Sequence, residues 1–156
     1  MTTPDTTIKF SLGLEQFSFE LDGQHFQIDK GLQFIKSNSM RHGVLDELAI
    51  ELMIYVIEEI LESVPIQYAQ PKSAISTDTL FEQVLSLFFP NQHSIGRIQL
   101  ESGFNAFLEC RKYYLAKVTK QGIFSLVYFI FLREMMHHWN VVDIKFVESL
   151  ETAKSL

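Results

Sequence analysis

From Ile8 onward the chain alternates. Ile8, Phe10, Leu12 and Leu14 are apolar and Lys9, Ser11, Gly13 and Glu15 lie between them, which is the period of a half-buried strand. Phe17, Phe19 and Leu21 repeat the pattern up to Asp22-Gly23, and Phe26 and Ile28 resume it. Asp-Gly between two alternating runs predicts a two-residue hairpin turn, because both central residues of a type I′ turn need positive φ. That turn sets Phe17 opposite Ile28, Phe19 opposite Phe26, Glu20 opposite His25 and Leu21 opposite Gln24. The apolar pairs then share one face and the Glu20–His25 pair lies on the other. A hairpin alone is only marginally stable, so this one needs a third strand or helices to pack against.

Beyond the hairpin the period lengthens. Gly31 to Lys36 fits a short helical turn, and Ser37 to Gly43 reads as loop. Val44 to Ser63 predicts a long helix with Leu45, Leu48, Leu52 and Tyr55 or Val56 inward, ended by Pro65. Val64 to Ser76, with Pro65 and Pro71, reads as a long connection. Thr79 and Glu82 form a capping box that opens a helix closed by Pro90-Asn91, its stripe made of Leu80, Val84, Leu87 and Phe88. Ile95 to Glu101 fits a short strand or the first turns of a helix. Ser102 or Gly103 starts a helix to about Lys120, with Phe104, Phe107, Leu108, Leu115 and Val118 inward and Gly122 as its terminal glycine. Val141 to Val147 alternates like a strand, yet Ile144, Val147 and Leu150 also fit a helix, and helix is the reading favoured here.

The segment Gly122 to Asn140 organises the rest. Its first part, Ile123 to Leu132, is apolar on every side, so it must be covered on several sides, by its own chain or by a second copy in a homodimer. The expected fold is α+β: one domain over residues 1–156, with a mobile start at residues 1–6. An N-terminal antiparallel hairpin or three-stranded meander packs against four to five helices. No solenoid-period repeat suggests a second domain.

Composition narrows the function classes. With 156 residues, 47% hydrophobic and 21% charged, the chain can bury one core, and its 14 Phe residues make that core aromatic. Cys110 is the only cysteine, and Met1 to Thr7 carries no basic region followed by an apolar one, so a reducing, cytoplasmic location is expected. The apolar run is half of the roughly twenty residues a bilayer span needs, and no membrane partner is expected. A net charge of -6 argues against nucleic acid. Phosphate-loop, dinucleotide, serine-hydrolase, zinc-protease and Cys-x-x-Cys motifs are absent, and no cofactor is expected.

Two constellations remain. Glu134-x-x-His137, with His138 beside it, places a carboxylate and an imidazole on one helical face, the spacing used in carboxylate-bridged metal sites. One such motif is half of a di-metal set. A single-ion site would need His93, Asp143 or a glutamate from Val44 to Ser63, and pairing along a half-exposed helix end accounts for the same residues. Cys110 beside Arg111 and Lys112 reads as a small packed residue rather than a reactive thiol.

The second constellation is an acidic stripe. His42 to Pro71 holds six acids and no Lys or Arg, while the rest of the chain balances at 13 acids and 13 bases. Glu47, Glu51, Glu58 and Glu62 fall within an arc of about 60° with Tyr55 at its edge. Arg111, Lys112, Lys117 and Lys120 could pair with it internally; alternatively it docks a basic protein. Sequence alone therefore leads to a non-enzymatic, cytoplasmic protein-binding module of adaptor, chaperone-like or immunity type with a basic partner. Its alternatives are a metal protein centred on Glu134 and His137, or a binder of a small apolar ligand in a Phe- and Met-lined pocket.

Overall fold

The computed structural model describes residues 6–118 and 122–149. It opens with β1 (Thr6–Leu12), β2 (Phe17–Leu21) and β3 (Gln24–Ile28), antiparallel in sequence order. The hairpin register is the expected one: Phe17 faces Ile28, Phe19 faces Phe26, Glu20 faces His25 and Leu21 faces Gln24. Asp22 and Gly23 take φ of 51° and 78°, the conformation the turn demands. Thr6, expected in a mobile start, belongs to β1, where it pairs with Lys72; residues 1–5 lie outside the described part.

The helical region divides differently from the sequence pattern. α1 spans Leu32–Ser39, which extends the expected helical turn through the first three residues of the expected loop. α2 (Glu47–Glu62) begins three residues late, with Asp46 as its N-cap accepting from the Ala49 N–H. Its buried face is Ala49, Ile50, Met53, Val56, Ile57, Ile60 and Leu61, while Leu48 and Tyr55 are exposed. α3 (Thr79–Phe88) has Asp78 rather than Thr79 at its N-cap position, without a side-chain cap hydrogen bond, and buries Phe81, Val84 and Leu85. The stretch after Pro90 supplies both alternatives, a short β5 (Ser94–Gly96) followed directly by α4 (Arg97–Glu109). The helix expected to reach about Lys120 breaks at Cys110, and α5 (Arg111–Lys117) follows. Gly122 then caps the start of α6 (Ile123–His138) instead of ending the helix before it. Lys120 lies outside the described residues.

Two segments read as connection or helix are strands. β4 (Lys72–Ser76) lies inside the presumed long loop, and β6 (Val141–Phe146) replaces the favoured helix. Both run parallel to β1 at the sheet centre, in the order β3-β2-β1-β4-β6-β5. Parallel strands need crossover helices, and α1 with α2 supplies the first while α3 to α6 span the second. Among the described residues the result is an α+β domain of six helices and a six-stranded mixed sheet, one helix and three strands more than the fuller expectation of five helices and a three-stranded meander.

α6 sits where its sequence requires. It packs against α1, α2, α3, α4 and β6, and every residue from Leu126 to Leu132 is fully buried. The chain itself covers the segment, so the homodimer is not needed for that purpose. Phe17 meets Phe131 at 4.8 Å and Trp139 at 5.7 Å, Phe19 meets Trp139 at 4.8 Å, and Phe88 stacks on Phe129 at 4.1 Å. Such pairs add roughly 0.5–1.5 kcal/mol each beyond their burial. Among the described residues no helix is long and apolar enough to cross a membrane.

The turn after β1 is pinned by the start of α1: Leu32 N donates to Gly13 O at 2.9 Å and Gln33 N to Leu14 O at 3.0 Å. Gly31 lies against the same turn, where an added Cβ would come within 2.6 Å of Leu14 O and Gln16 N and closer still to Gly13 O. Backbone atoms cannot swing aside. Gly31→Ala is therefore expected to cost about 1–3 kcal/mol, seen as a lower urea midpoint at unchanged slope.

Candidate functional site

Three parallel strands, β1, β4 and β6, end along one edge of the sheet, and β1 is also where the pairing changes from antiparallel to parallel. Open α/β sheets bind ligands outside such carboxyl edges. Asp78, two residues past β4 and at the head of α3, is the carboxylate placed there. Its Oδ1 accepts from the Ser11 hydroxyl at 2.7 Å, and Oδ2 accepts from Leu12 N at 2.8 Å and from the Tyr128 hydroxyl at 2.8 Å. The Asp78 N–H donates to Ser76 Oγ at 3.0 Å, and Ser76 Oγ lies 3.3 Å from the Tyr128 oxygen. β1, β4, α3 and α6 thus meet at one acidic side chain.

Tyr128 reaches the carboxylate from inside the core. Burial first, and then the Asp78 charge, push its phenol well above the ordinary tyrosine range, so it remains a donor at neutral pH. A groove of about 630 Å³ between α3 and the start of α6 is lined among others by Glu82, Ser86, Lys117 and Ser125, and by none of Ser11, Ser76, Asp78 or Tyr128. Glu82 is one helical turn beyond Asp78, and Ser125 one turn before Tyr128.

Sequence reasoning missed this site. Its one local signal was a strand-like Ala74-Ile75 followed by Ser76-Thr77-Asp78 and a helix, which Pro71 and the polar flanks obscured.

The expected metal motif is pulled apart. Glu134 is 3% exposed, not at a half-exposed end, and its Oε2 accepts from Arg133 Nη1 at 2.7 Å. His137 turns the other way, to Glu101 Oε1 at 2.8 Å, and Arg133 Nε donates to that same oxygen at 2.8 Å. Burial alone would raise the Glu101 pKa, but hydrogen bonds and charge from Arg133, and then from His137, hold it below the usual carboxylate range. Burial, by contrast, raises the Glu134 pKa against the pull of Arg133. His138 is the imidazole near Glu134, with Nε2 3.7 Å from its Oε1 and 3.5 Å from Glu58 Oε1. A glutamate of α2 does join the cluster, while His93 and Asp143 lie along the other arm of the fold, at β5 and in β6.

The acidic stripe is divided as well. Glu47, Glu51 and Tyr55 face solvent, whereas Glu58 and Glu62 lie against His138, Glu62 Oε1 at 3.8 Å from Nδ1. Glu59, outside the stripe, raises the Tyr55 pKa through a hydrogen bond and its charge. Among the described residues no ion pair joins the stripe to Arg111, Lys112 or Lys117, although Glu47 shares a shallow cavity with Arg111, Lys112 and Cys110. Cys110 is exposed rather than packed. Met53, Met135 and Met136 are fully buried core residues.

At the carboxyl edge, Tyr128→Phe removes one of three donors to a carboxylate and is expected to cost about 1–3 kcal/mol in urea unfolding. Ser11→Ala, at an exposed position where water can replace the hydroxyl, should cost less than about 1 kcal/mol.

No protein-family model matches the sequence, and no curated protein matches it. Solved structures do. The Ppx/GppA phosphatase of Aquifex aeolicus, in its type II variant, superposes with a TM-score of 0.67 at 10% identity, over 94% of this chain and 54% of that one. A second structure of the Aquifex aeolicus Ppx/GppA family member gives 0.69 at 11% identity, over 96% and 57%. An exopolyphosphatase-like protein gives 0.68 at 10%, over 93% and 55%. At such identity the likeness shows the fold, and this chain spans about half the length of the structures it matches. It overturns the non-enzymatic protein-binding module expected from the acidic stripe, because the fold is one seen in phosphatases. Charge placement on one helix misled the sequence reading: it carried no information about the sheet edge.

Proposed function

We propose that this chain is a phosphoryl-handling domain with its reaction centre at the carboxyl edge of β1, β4 and β6. The observation that carries the reading is Asp78, held by Ser11, Leu12 N–H and Tyr128 at that edge of a fold shared with Ppx/GppA phosphatases. Three donors leave the carboxylate little rotational freedom. A positioned carboxylate of this kind accepts a proton from water as the water oxygen bonds to phosphorus and the bridging P–O bond breaks. Behind it, α3 starts with Thr79 and Leu80, and the positive end of the helix favours a phosphate oxygen nearby.

Polyphosphate is the first substrate to test, because one of the matched structures is of an exopolyphosphatase-like protein. Phosphate release from polyphosphate and from p-nitrophenyl phosphate, with Mg²⁺ added, should exceed the buffer blank. Asp78→Asn should lower it by roughly 10²- to 10⁴-fold with an unchanged circular dichroism spectrum. Absence of both turnover and polyphosphate binding with the wild-type chain would remove the reading.

A further inference from the structure

The opposite edge of the sheet holds a second cluster, independent of Asp78. Lys72, the first residue of β4, is buried there, and its ammonium donates to Gln67 O, to Gln70 O at 2.8 Å and to Trp139 O at 2.9 Å. Burial lowers the pKa of this ammonium, and the three carbonyls satisfy it. This clamp ties the end of α6 to the sheet. One residue before Trp139 stands His138, facing α2.

The geometry points to a binding site for one divalent transition-metal ion of the zinc or cobalt class, formed by Glu58 of α2 with Glu134 and His138 of α6. Each residue offers one ligand atom, and the three atoms lie within 4.8 Å of one another. His138 Nε2 is 3.5 Å from Glu58 Oε1 and 3.7 Å from Glu134 Oε1. Those separations are too long for good hydrogen bonds, but they approach the edge of a coordination tetrahedron, about 3.4 Å for bonds of about 2.1 Å.

A second observation concerns Glu134 itself. Its side chain is only 3% exposed, and among the described residues only its Oε2 accepts a hydrogen bond, from Arg133 Nη1. Oε1 is left aimed at His138 and Glu58. Arg133 is in turn held by Glu101 at 2.8 Å and lies 4.3 Å over the Phe104 ring. Ligating carboxylates are commonly oriented by such outer hydrogen bonds. One imidazole and two carboxylates suit a borderline ion better than calcium or magnesium, which prefer all-oxygen sets. An ion here would cross-link α2 to α6, with the clamp at Lys72 fixing the backbone beside it.

The competing account is an imidazole of His138 held only by Glu58, Glu62 and Glu134, with no affinity for metal. The test uses the full, tag-free chain, stripped with EDTA and held at pH 7.5. Co²⁺ titration should give a visible d–d band saturating at one equivalent, displaced by Zn²⁺, and Zn²⁺ should raise the melting temperature. Glu58→Gln and His138→Gln should each weaken Co²⁺ binding at least about tenfold, while His137→Gln leaves it unchanged. Glu58 is partly exposed, so its variant decides the matter should the His138 variant fail to fold. Absence of stoichiometric Co²⁺ binding, or wild-type affinity in Glu58→Gln, would overturn the site in favour of the ion-paired imidazole. Neither result bears on turnover at Asp78, so the two proposals fail separately.

Discussion

A helix with no polar face has to be surrounded, and that constraint on α6 dictates most of this molecule. From Leu126 to Leu132 seven consecutive residues are fully buried. Burying each large apolar side chain is worth roughly 1.5–3 kcal/mol, so leaving even one side open would consume much of a net stability of about 5–15 kcal/mol. Sheet, α1, α2, α3 and α4 therefore close around it. The N-terminal hairpin is part of the same enclosure, since Phe17 and Phe19 pack onto Phe131 and Trp139.

Enclosure also decides where chemistry can arise. A polar group carried on a fully covered helix must find partners, because an unpaired buried hydroxyl or carboxylate is costly. Tyr128 finds Asp78 and Ser76 at the carboxyl edge; Glu134 finds Arg133 and turns its other oxygen toward His138 and Glu58 at the far edge. The two candidate sites are thus the two places where α6 releases polar atoms from an apolar interior. They lie at opposite ends of one rigid element.

Local chemistry was readable and remote pairing was not. Asp22-Gly23 specifies its own turn through φ, and alternation then sets the register of its strands, so the hairpin could be derived residue by residue. β4 has only Ala74 and Ile75 as apolar residues in Lys72–Ser76, and its place at the sheet centre comes from β1 and β6, which are far away in sequence. β6 misled for a related reason: Val141, Ile144 and Val147 are buried at a three-residue spacing, which matches one face of a helix, although Val141 and Ile144 belong to a strand. The N-cap position of α3 falls one residue earlier, at Asp78, whose carboxylate makes no cap hydrogen bond and accepts instead from Ser11, Leu12 N–H and Tyr128.

The same division holds for function. Glu134, His138 and Glu58 could each be named from composition and spacing, yet it was packing of α2 on α6 that set them together, and packing of α4 on α6 that sent His137 to Glu101 instead. The acidic stripe looked continuous on a helical wheel, but the tertiary fold gave Glu58 and Glu62 to His138 and left Glu47 and Glu51 to water. By itself the sequence determined the hairpin, the buried central helix and the α+β class, because turn dihedrals and apolar periodicity act over a few residues. Tertiary structure decided the parallel strands and the carboxylate at their ends, because those depend on contacts between segments that no local pattern encodes.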